Sequence, residues 1–161
     1  MLKEIVTKAV VSKGKISNSK DMSFEIVENV NKAIGCWIIN HSYLSKIENN
    51  RVYINGCYDV HIWYAVNDST DTFLCKNTVD YREEVMMENL NFDRENSEYK
   101  VYCVEYPTCT NLQFLDNKFI VNIKKGLAVD VIGESRLLVQ VSEAWNQDDN
   151  SMGINTNYLN K

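Results

Sequence analysis

Proline, histidine and glycine are scarce in this sequence: its 161 residues include one proline, two histidines and six glycines. A single proline argues against long disordered or Pro-rich segments. The glycines are all isolated, so the sequence has no glycine-rich loop of the kind that holds phosphate groups. The two histidines, His41 and His61, leave few groups for metal binding or for general-base catalysis. These absences argue against nucleotide-binding and zinc-dependent classes of protein.

Close cysteine pairs are also missing. The cysteines are Cys36, Cys57, Cys75, Cys103 and Cys109, and the smallest gap separates the last two. A structural zinc site needs ligands at spacings such as C-x2-C, so we expect no zinc site. In a reducing compartment the thiols are expected to be free and buried. Cross-linking at a later, oxidising stage is the alternative that the odd number of cysteines leaves open.

Long apolar runs and clusters of basic residues are absent as well. No stretch approaches the roughly 20 apolar residues that span a membrane, and the first residues lack the apolar core of a secretory signal. The net charge is −5 at pH 7, and the lysines near the start are spread along the chain. Nucleic-acid binding requires a clustered basic surface. We therefore predict synthesis in the cytoplasm, no membrane insertion and no nucleic-acid partner.

Residues with β-branched and aromatic side chains are abundant, and clusters of Asn, Asp, Gly and Ser interrupt them at short intervals. This pattern is typical of a sandwich or barrel. We predict an all-β fold: an antiparallel β-sandwich with a jelly-roll or immunoglobulin-like arrangement of short strands and little helix. Residues 1–145 are expected to form a single domain, and residues 146–161 a polar, flexible C-terminal tail.

The predicted strands cover residues 4–11, 34–40, 51–66, 72–85, 98–106, 112–115, 118–123, 127–132 and 136–141. The polar residues 12–21 are assigned to a loop, and Pro107 is expected to end a strand because proline cannot donate to a sheet. Asp116 and Asn117 predict a two-residue hairpin turn. The apolar residues 34–40 are expected to be buried on both sides. Residues 23–33 and 82–91 are helix candidates that are equally compatible with strand or irregular structure.

The predicted strand at residues 51–66 has two different faces. One face is apolar at almost every second position and is expected to form the core: Val52, Ile54, Gly56, Tyr58, Val60, Ile62, Tyr64 and Val66. Gly56 within a strand indicates a bulge or a close approach of other atoms. The other face is mixed and includes Tyr53 and Trp63. On this mixed face Asp59 and His61 would lie about 7 Å apart, too loosely placed to specify a catalytic dyad.

Aromatic residues next to polar groups on a strand face are typical of an interface or a sugar-binding surface. We therefore predict an interaction surface made of Tyr53, Asp59, His61, Trp63, Trp37 and Tyr43. No residue is assigned a catalytic, metal-binding or cofactor-binding role, because no nucleophile-and-base pair or metal-ligand set has suitable spacing. A carbohydrate-binding β-sandwich, with Tyr53 and Trp63 as stacking rings, is the alternative to a structural protein.

Three segments carry a family likeness. They are EIVTKAVVSKGK at residues 4–15, GCWIINHSY at residues 35–43 and DVHIWY at residues 59–64. Residues 107–109 and 129–134 give weaker support. With these motifs together, the sequence resembles the outer spore coat morphogenetic protein E family of endospore-forming bacteria over nearly the whole predicted domain.

The resemblance implies a non-enzymatic, morphogenetic scaffold of the spore coat with no cofactor. Such a protein is made in the mother-cell cytoplasm during sporulation and then lies in the spore coat. The implied partners are copies of the protein itself, as a homo-oligomer, and other coat proteins, including the basement-layer protein. The resemblance supplies no catalytic residues.

Overall fold

The computed structural model describes residues 2–68 and 70–140. Within them the chain forms six β-strands and no helix, so no described segment is a helix able to cross a membrane. The strands are β1 (Leu2–Glu25), β2 (Val30–Glu48), β3 (Arg51–Val66), β4 (Asp71–Val85), β5 (Glu98–Leu115) and β6 (Lys118–Gln140). The predicted tail at residues 146–161 and the end of the predicted domain lie outside the described residues.

These strands form two antiparallel sheets of three strands each within the described part of the chain. The first sheet has the order β1-β6-β5 and the second the order β2-β3-β4. The sheets pack face to face, with β6 and β3 as their central strands. Contacts between β2 and β5 close one side of the sandwich, and contacts between β1 and β4 close the other. The predicted all-β sandwich is confirmed.

The strands are longer than the short strands that were predicted for a jelly-roll or immunoglobulin-like arrangement. β1 continues through the polar residues 12–21 because it pairs with β6 along its length, from Leu2 opposite Gln140 to Glu25 opposite Lys118. This pairing satisfies the backbone N–H and C=O groups of β1 that face β6, whatever the polarity of the side chains. The predicted segments between residues 118 and 141 merge in the same way into β6. Residues 23–33 and 82–91 are strand ends joined to irregular segments.

Pro107 lies inside β5 instead of ending a strand, so that prediction is wrong. β5 is an edge strand of its sheet, where the missing N–H of a proline is tolerated. The register of β5 against β6 shifts between Glu105 and Thr108. The ladder therefore skips the proline, and the strand continues to Leu115.

Two hairpins use tight turns with asparagine or aspartate. Asp116 and Asn117 join β5 to β6, and Asn49 and Asn50 join β2 to β3, with φ angles between 51° and 64°. Positive φ at both central residues is the type I′ geometry that suits the twist of paired strands. Asn and Asp tolerate this backbone region better than other non-glycine residues. The predicted turn at residues 116–117 is confirmed.

Side chains of the two central strands fill the space between the sheets. One buried cluster joins Tyr58, Val60, Ile62 and Tyr64 of β3 to Phe119, Val121 and Ile123 of β6. A second joins Val52, Ile54 and Val85 to Leu127, Val129 and Val131. The predicted core face of β3 is thus confirmed. The prediction that residues 34–40 are buried on both sides is wrong, because Ile34, Trp37 and Ile39 are exposed on the outside of the sandwich.

Gly56 provides space for an aromatic ring in the interior. A Cβ at this position would lie 2.3 Å from both Cζ and Oη of Tyr81. We expect Gly56→Ala to lower the free energy of unfolding by about 1–3 kcal/mol, because the ring must be displaced from a packed site. Urea denaturation measures the change. Gly126→Ala is the matched control, since its nearest contact, with Glu105 Cβ, is 3.3 Å; equal losses in both variants would contradict the explanation.

Candidate interaction surface

Five of the six predicted surface residues share the outer face of the β2-β3-β4 sheet. The alternation of β3 places Tyr53, Asp59, His61 and Trp63 opposite to its buried positions. Trp37 of β2 pairs directly with His61 and therefore lies on the same face. No third layer of the described residues covers this face, since the other sheet packs against its inner side.

Two tryptophans form the apolar centre of this face. Trp37 is 52% exposed and Trp63 is 40% exposed. Gly35 pairs with Trp63 across the two strands, and a Cβ on Gly35 would lie 2.8 Å from Cη2 of Trp37. The Trp37 ring therefore lies over Gly35, directly beside the Trp63 position. Ile39 and Leu44, also exposed, extend the apolar area along β2. We call Trp37, Ile39, Leu44 and Trp63 the outer aromatic patch.

Polar and charged groups border the outer aromatic patch and are already paired. The Asp59 carboxylate accepts hydrogen bonds from Asn40 Nδ2 at 2.8 Å and from Thr78 Oγ1 at 2.7 Å. These two hydrogen bonds hold the pKa of Asp59 below its usual range. At one end, the Arg82 guanidinium lies 4.0 Å from the centre of the Tyr53 ring, a cation–π contact. The border is thus ordered and ionised, whereas the patch itself is apolar.

Tyr43 does not belong to this face, and its inclusion in the predicted surface is corrected. A β-bulge in β2 shifts the register between Ile39 and Ser42, with Asn40 at a φ of 56°. One extra residue reverses the side on which later side chains lie. Tyr43 therefore faces the interior opposite Gly56, where it packs against the second core cluster. Without the bulge, it would lie on the same face as Trp37.

The same bulge directs the side chain of His41 towards the space between the sheets, where it joins a polar cluster. The sequence did not predict this cluster. His41 Nε2 and Tyr81 Oη are hydrogen bonded at 2.5 Å. Burial, together with the nearby charge of Lys125, lowers the pKa of His41. Burial raises the pKa of Tyr81 above its usual range. The Tyr81 hydroxyl therefore stays protonated and donates a hydrogen bond to Nε2 of a neutral imidazole. Nδ1 of this imidazole has no hydrogen-bond partner within the described structure.

Lys125 is the charged centre of this interior cluster. It is only 3% exposed, and its ammonium lies 3.0 Å from Glu83 Oε1, 3.1 Å from Asn18 Oδ1 and 4.4 Å above the Tyr81 ring. Burial alone would raise the pKa of Glu83, but hydrogen bonds from Lys125 and Asn18 outweigh it and lower that pKa. The ion pair connects β4 to β6 and so ties the two sheets together. We call Lys125, Glu83 and Asn18 the interior ion cluster.

No feature of the sequence could have revealed the interior ion cluster. Glu83 and Lys125 are 42 residues apart and lie on different sheets, so neither helical spacing nor strand alternation links them. Within residues 2–68 and 70–140, no group of three or more His, Cys, Asp or Glu side chains is arranged to hold a metal ion. The charged groups of the cluster are paired with one another, so its geometry is that of a group that stabilises the fold.

The described residues thus define an all-β sandwich with an open aromatic face on one sheet and a paired ionic centre inside. The family model for outer spore coat protein E (CotE) matches residues 1–160. The chain therefore belongs to the outer spore coat protein E family, a structural family, and is a spore coat protein. The resemblance seen in the sequence motifs is confirmed. Neither the curated proteins nor the solved structures contain a match to this chain.

Proposed function

We propose that the protein is a non-enzymatic, morphogenetic scaffold that self-associates and recruits other proteins of the spore coat. The outer aromatic patch is the observation that carries this proposal. Large apolar side chains on an open sheet face are unfavourable in water and typical of contact surfaces. Tryptophan is also among the residues that contribute most to binding energy at protein interfaces. The occupant we propose for the patch is a second copy of the same chain.

The size of the outer face fits such a contact. Its shortest strand, β4, has 15 residues, which at about 3.3 Å per residue extend roughly 50 Å. Three strands about 4.8 Å apart make the face roughly 14 Å wide, or about 700 Å² in area. A stable protein interface buries about 800 Å² on each partner. Face-to-face packing of two copies would therefore use nearly the whole outer sheet.

Charged substitutions in the patch test self-association. We expect Trp37→Glu and Trp63→Glu to weaken assembly by about 30-fold or more in dissociation constant, as for an interface hot spot of about 2 kcal/mol. Both side chains are substantially exposed, so the fold should be kept. Size-exclusion chromatography with light scattering, run over a series of concentrations, measures the mass of the assembly.

Tyr106→Glu is the matched control for this experiment. Tyr106 is 73% exposed on β5, in the other sheet, so its substitution adds the same charge without touching the patch. An unchanged assembly mass in both tryptophan variants would contradict the proposal. Binding of spore or cell-wall glycans that is lost in Trp63→Glu, with a monomeric wild type, would instead favour the carbohydrate-binding alternative.

Recruitment of other coat proteins is the second part of the proposal. We propose that the protein is made in the mother-cell cytoplasm during sporulation and that its partners include the basement-layer protein. Membership in a spore coat family supports this, together with the regularly paired edge strand β4, which can accept a further strand. Co-purification of the basement-layer protein with the tagged full chain from sporulating cells tests it, with Tyr106→Glu and Trp63→Glu compared in parallel.

A further inference from the structure

Cys36 and Cys109 lie at the same level of the sandwich on two strands that face each other. Cys36 of β2 pairs with Ile62, and Cys109 of β5 pairs with Ile123. Both isoleucines belong to the same buried cluster, and both cysteines pack against it. Since β2 and β5 are edge strands in contact along one side of the sandwich, the two thiols meet between the sheets.

These two thiols share one surface depression. Cys36 and Cys109 both line it, together with Gly35 and Thr110, and its volume is about 280 Å³. The Cys109 thiol donates a hydrogen bond to the Asn111 carbonyl at 3.2 Å and lies close enough to Cys36 to interact with it. Cys57 and Cys103 lie elsewhere, where they contact Ser42 Oγ at 3.2 Å and the Gly126 carbonyl at 3.5 Å. Cys75 packs against the same cluster, but it lies on β4, so the Ile62 position of β3 separates it from Cys36. One specific pair therefore stands out among five free thiols.

We propose that Cys36 and Cys109 form a redox modification site, at which an intramolecular disulfide links the two sheets. The oxidant is a low-molecular-weight disulfide such as oxidised glutathione. One protein thiolate attacks it, forms a mixed disulfide and releases one small thiolate. The second protein thiol loses its proton and attacks the mixed disulfide, which releases the second small thiolate. Two protein thiols are oxidised and one small disulfide is reduced, so atoms and electrons balance.

The bond would link the two sheets covalently on the β2–β5 side, whereas the interior ion cluster links them on the β1–β4 side. That cluster connects β4 to β6 and binds Asn18 of β1, whereas the cysteines join β2 to β5. Burial, together with the neighbouring Cys109 thiol, raises the pKa of Cys36. Because the thiolate is the reactive form, oxidation is expected to accelerate as the pH rises. The proposal does not depend on self-association.

The experiment uses the full chain, treated with oxidised glutathione at neutral and at alkaline pH. The number of free thiols, titrated under denaturing conditions, is expected to fall from five to three. Digestion with trypsin and a glutamate-specific protease separates Cys103 from Cys109 by cleavage at Glu105, so non-reducing mass spectrometry identifies the linked pair. The oxidised protein should also unfold at a higher urea concentration than the reduced protein.

Cys57→Ala and Cys75→Ala are the matched controls, and both should still lose two thiols on oxidation. Cys36→Ala and Cys109→Ala should each lose none. Persistence of all five thiols in the wild type, a link between any other pair, or a link between two chains would overturn the proposal. The mapping on the wild type decides the question even where a variant fails to fold.

Discussion

Replacing Glu83 with alanine is expected to lower the free energy of unfolding by about 3–5 kcal/mol, the cost of removing one partner of a buried ion pair. The substitution leaves the Lys125 ammonium, 3% exposed, without its carboxylate. Asn18 Oδ1 and the Tyr81 ring would remain as its neighbours, and neither carries a compensating negative charge. Urea denaturation at neutral pH measures the loss.

A double substitution separates the ion pair from simple loss of packing. Glu83→Gln combined with Lys125→Met removes both charges and keeps similar volumes, so we expect it to be closer to the wild type than Glu83→Ala. A double variant that is as unstable as the sum of the single variants would contradict the pairing.

The pH dependence of stability gives a second check on Glu83. Its pKa is lower in the folded state than in the unfolded chain, so its stabilising contribution is fully present above the unfolded pKa of about 4.3. The contribution disappears as the pH falls through the lower, folded pKa. The difference in stability between the wild type and Glu83→Ala should therefore be constant near neutral pH and shrink in acid.

Phe119→Ala should have an effect of the same size, about 3–5 kcal/mol, because it removes a fully buried ring and leaves a cavity. Phe119 is 0% exposed, and its ring centre lies 5.4 Å from that of Tyr64 and 5.3 Å from that of Phe114. Phe119 is the second residue of β6, directly after the hairpin, and it packs against Tyr64 of the other sheet. The loss of its ring therefore weakens the packing of both sheets. Thermal and urea unfolding, monitored together, measure the change.

Phe73→Ala is the control for Phe119. Its ring also contacts Tyr64, at 6.0 Å, but Phe73 is 48% exposed near the start of β4. We expect a loss of about 1 kcal/mol, the size of an aromatic pair without cavity formation. If the two variants lose the same free energy, the core assignment of Phe119 is wrong.

The fold class was predictable because apolar and polar residues alternate along the strands in the sequence. The buried side of β3, from Val52 to Val66, follows the period of two that the core face requires. Strand length was not predictable, since pairing partners decide it. The polar residues 12–21 indicate a loop in the sequence, but their pairing with β6 makes them part of a strand. Pro107 indicates the end of a strand, but the position of β5 at the edge of its sheet allows the strand to continue.

The candidate surface was predictable only where alternation is unbroken. Tyr53, Asp59, His61 and Trp63 lie on one uninterrupted strand, and all four are on the predicted face. Tyr43 was assigned to the wrong face because the residues around Asn40 do not predict the bulge. The interior ion cluster was missed for a different reason: its charges meet across two sheets, and a single sequence contains no signal for such a contact.

Pro107 and the irregular pairing around it have a consequence for how copies of this chain can add to one another. β2 and β5 each show three register shifts against their neighbours, and Pro107 offers no N–H along β5. Edges of this kind are poor templates for the endless strand-by-strand growth that produces fibrils. β4, by contrast, pairs with β3 without a register shift, so a strand donated by a partner would find its regular acceptor at that edge, on the other side of the sandwich.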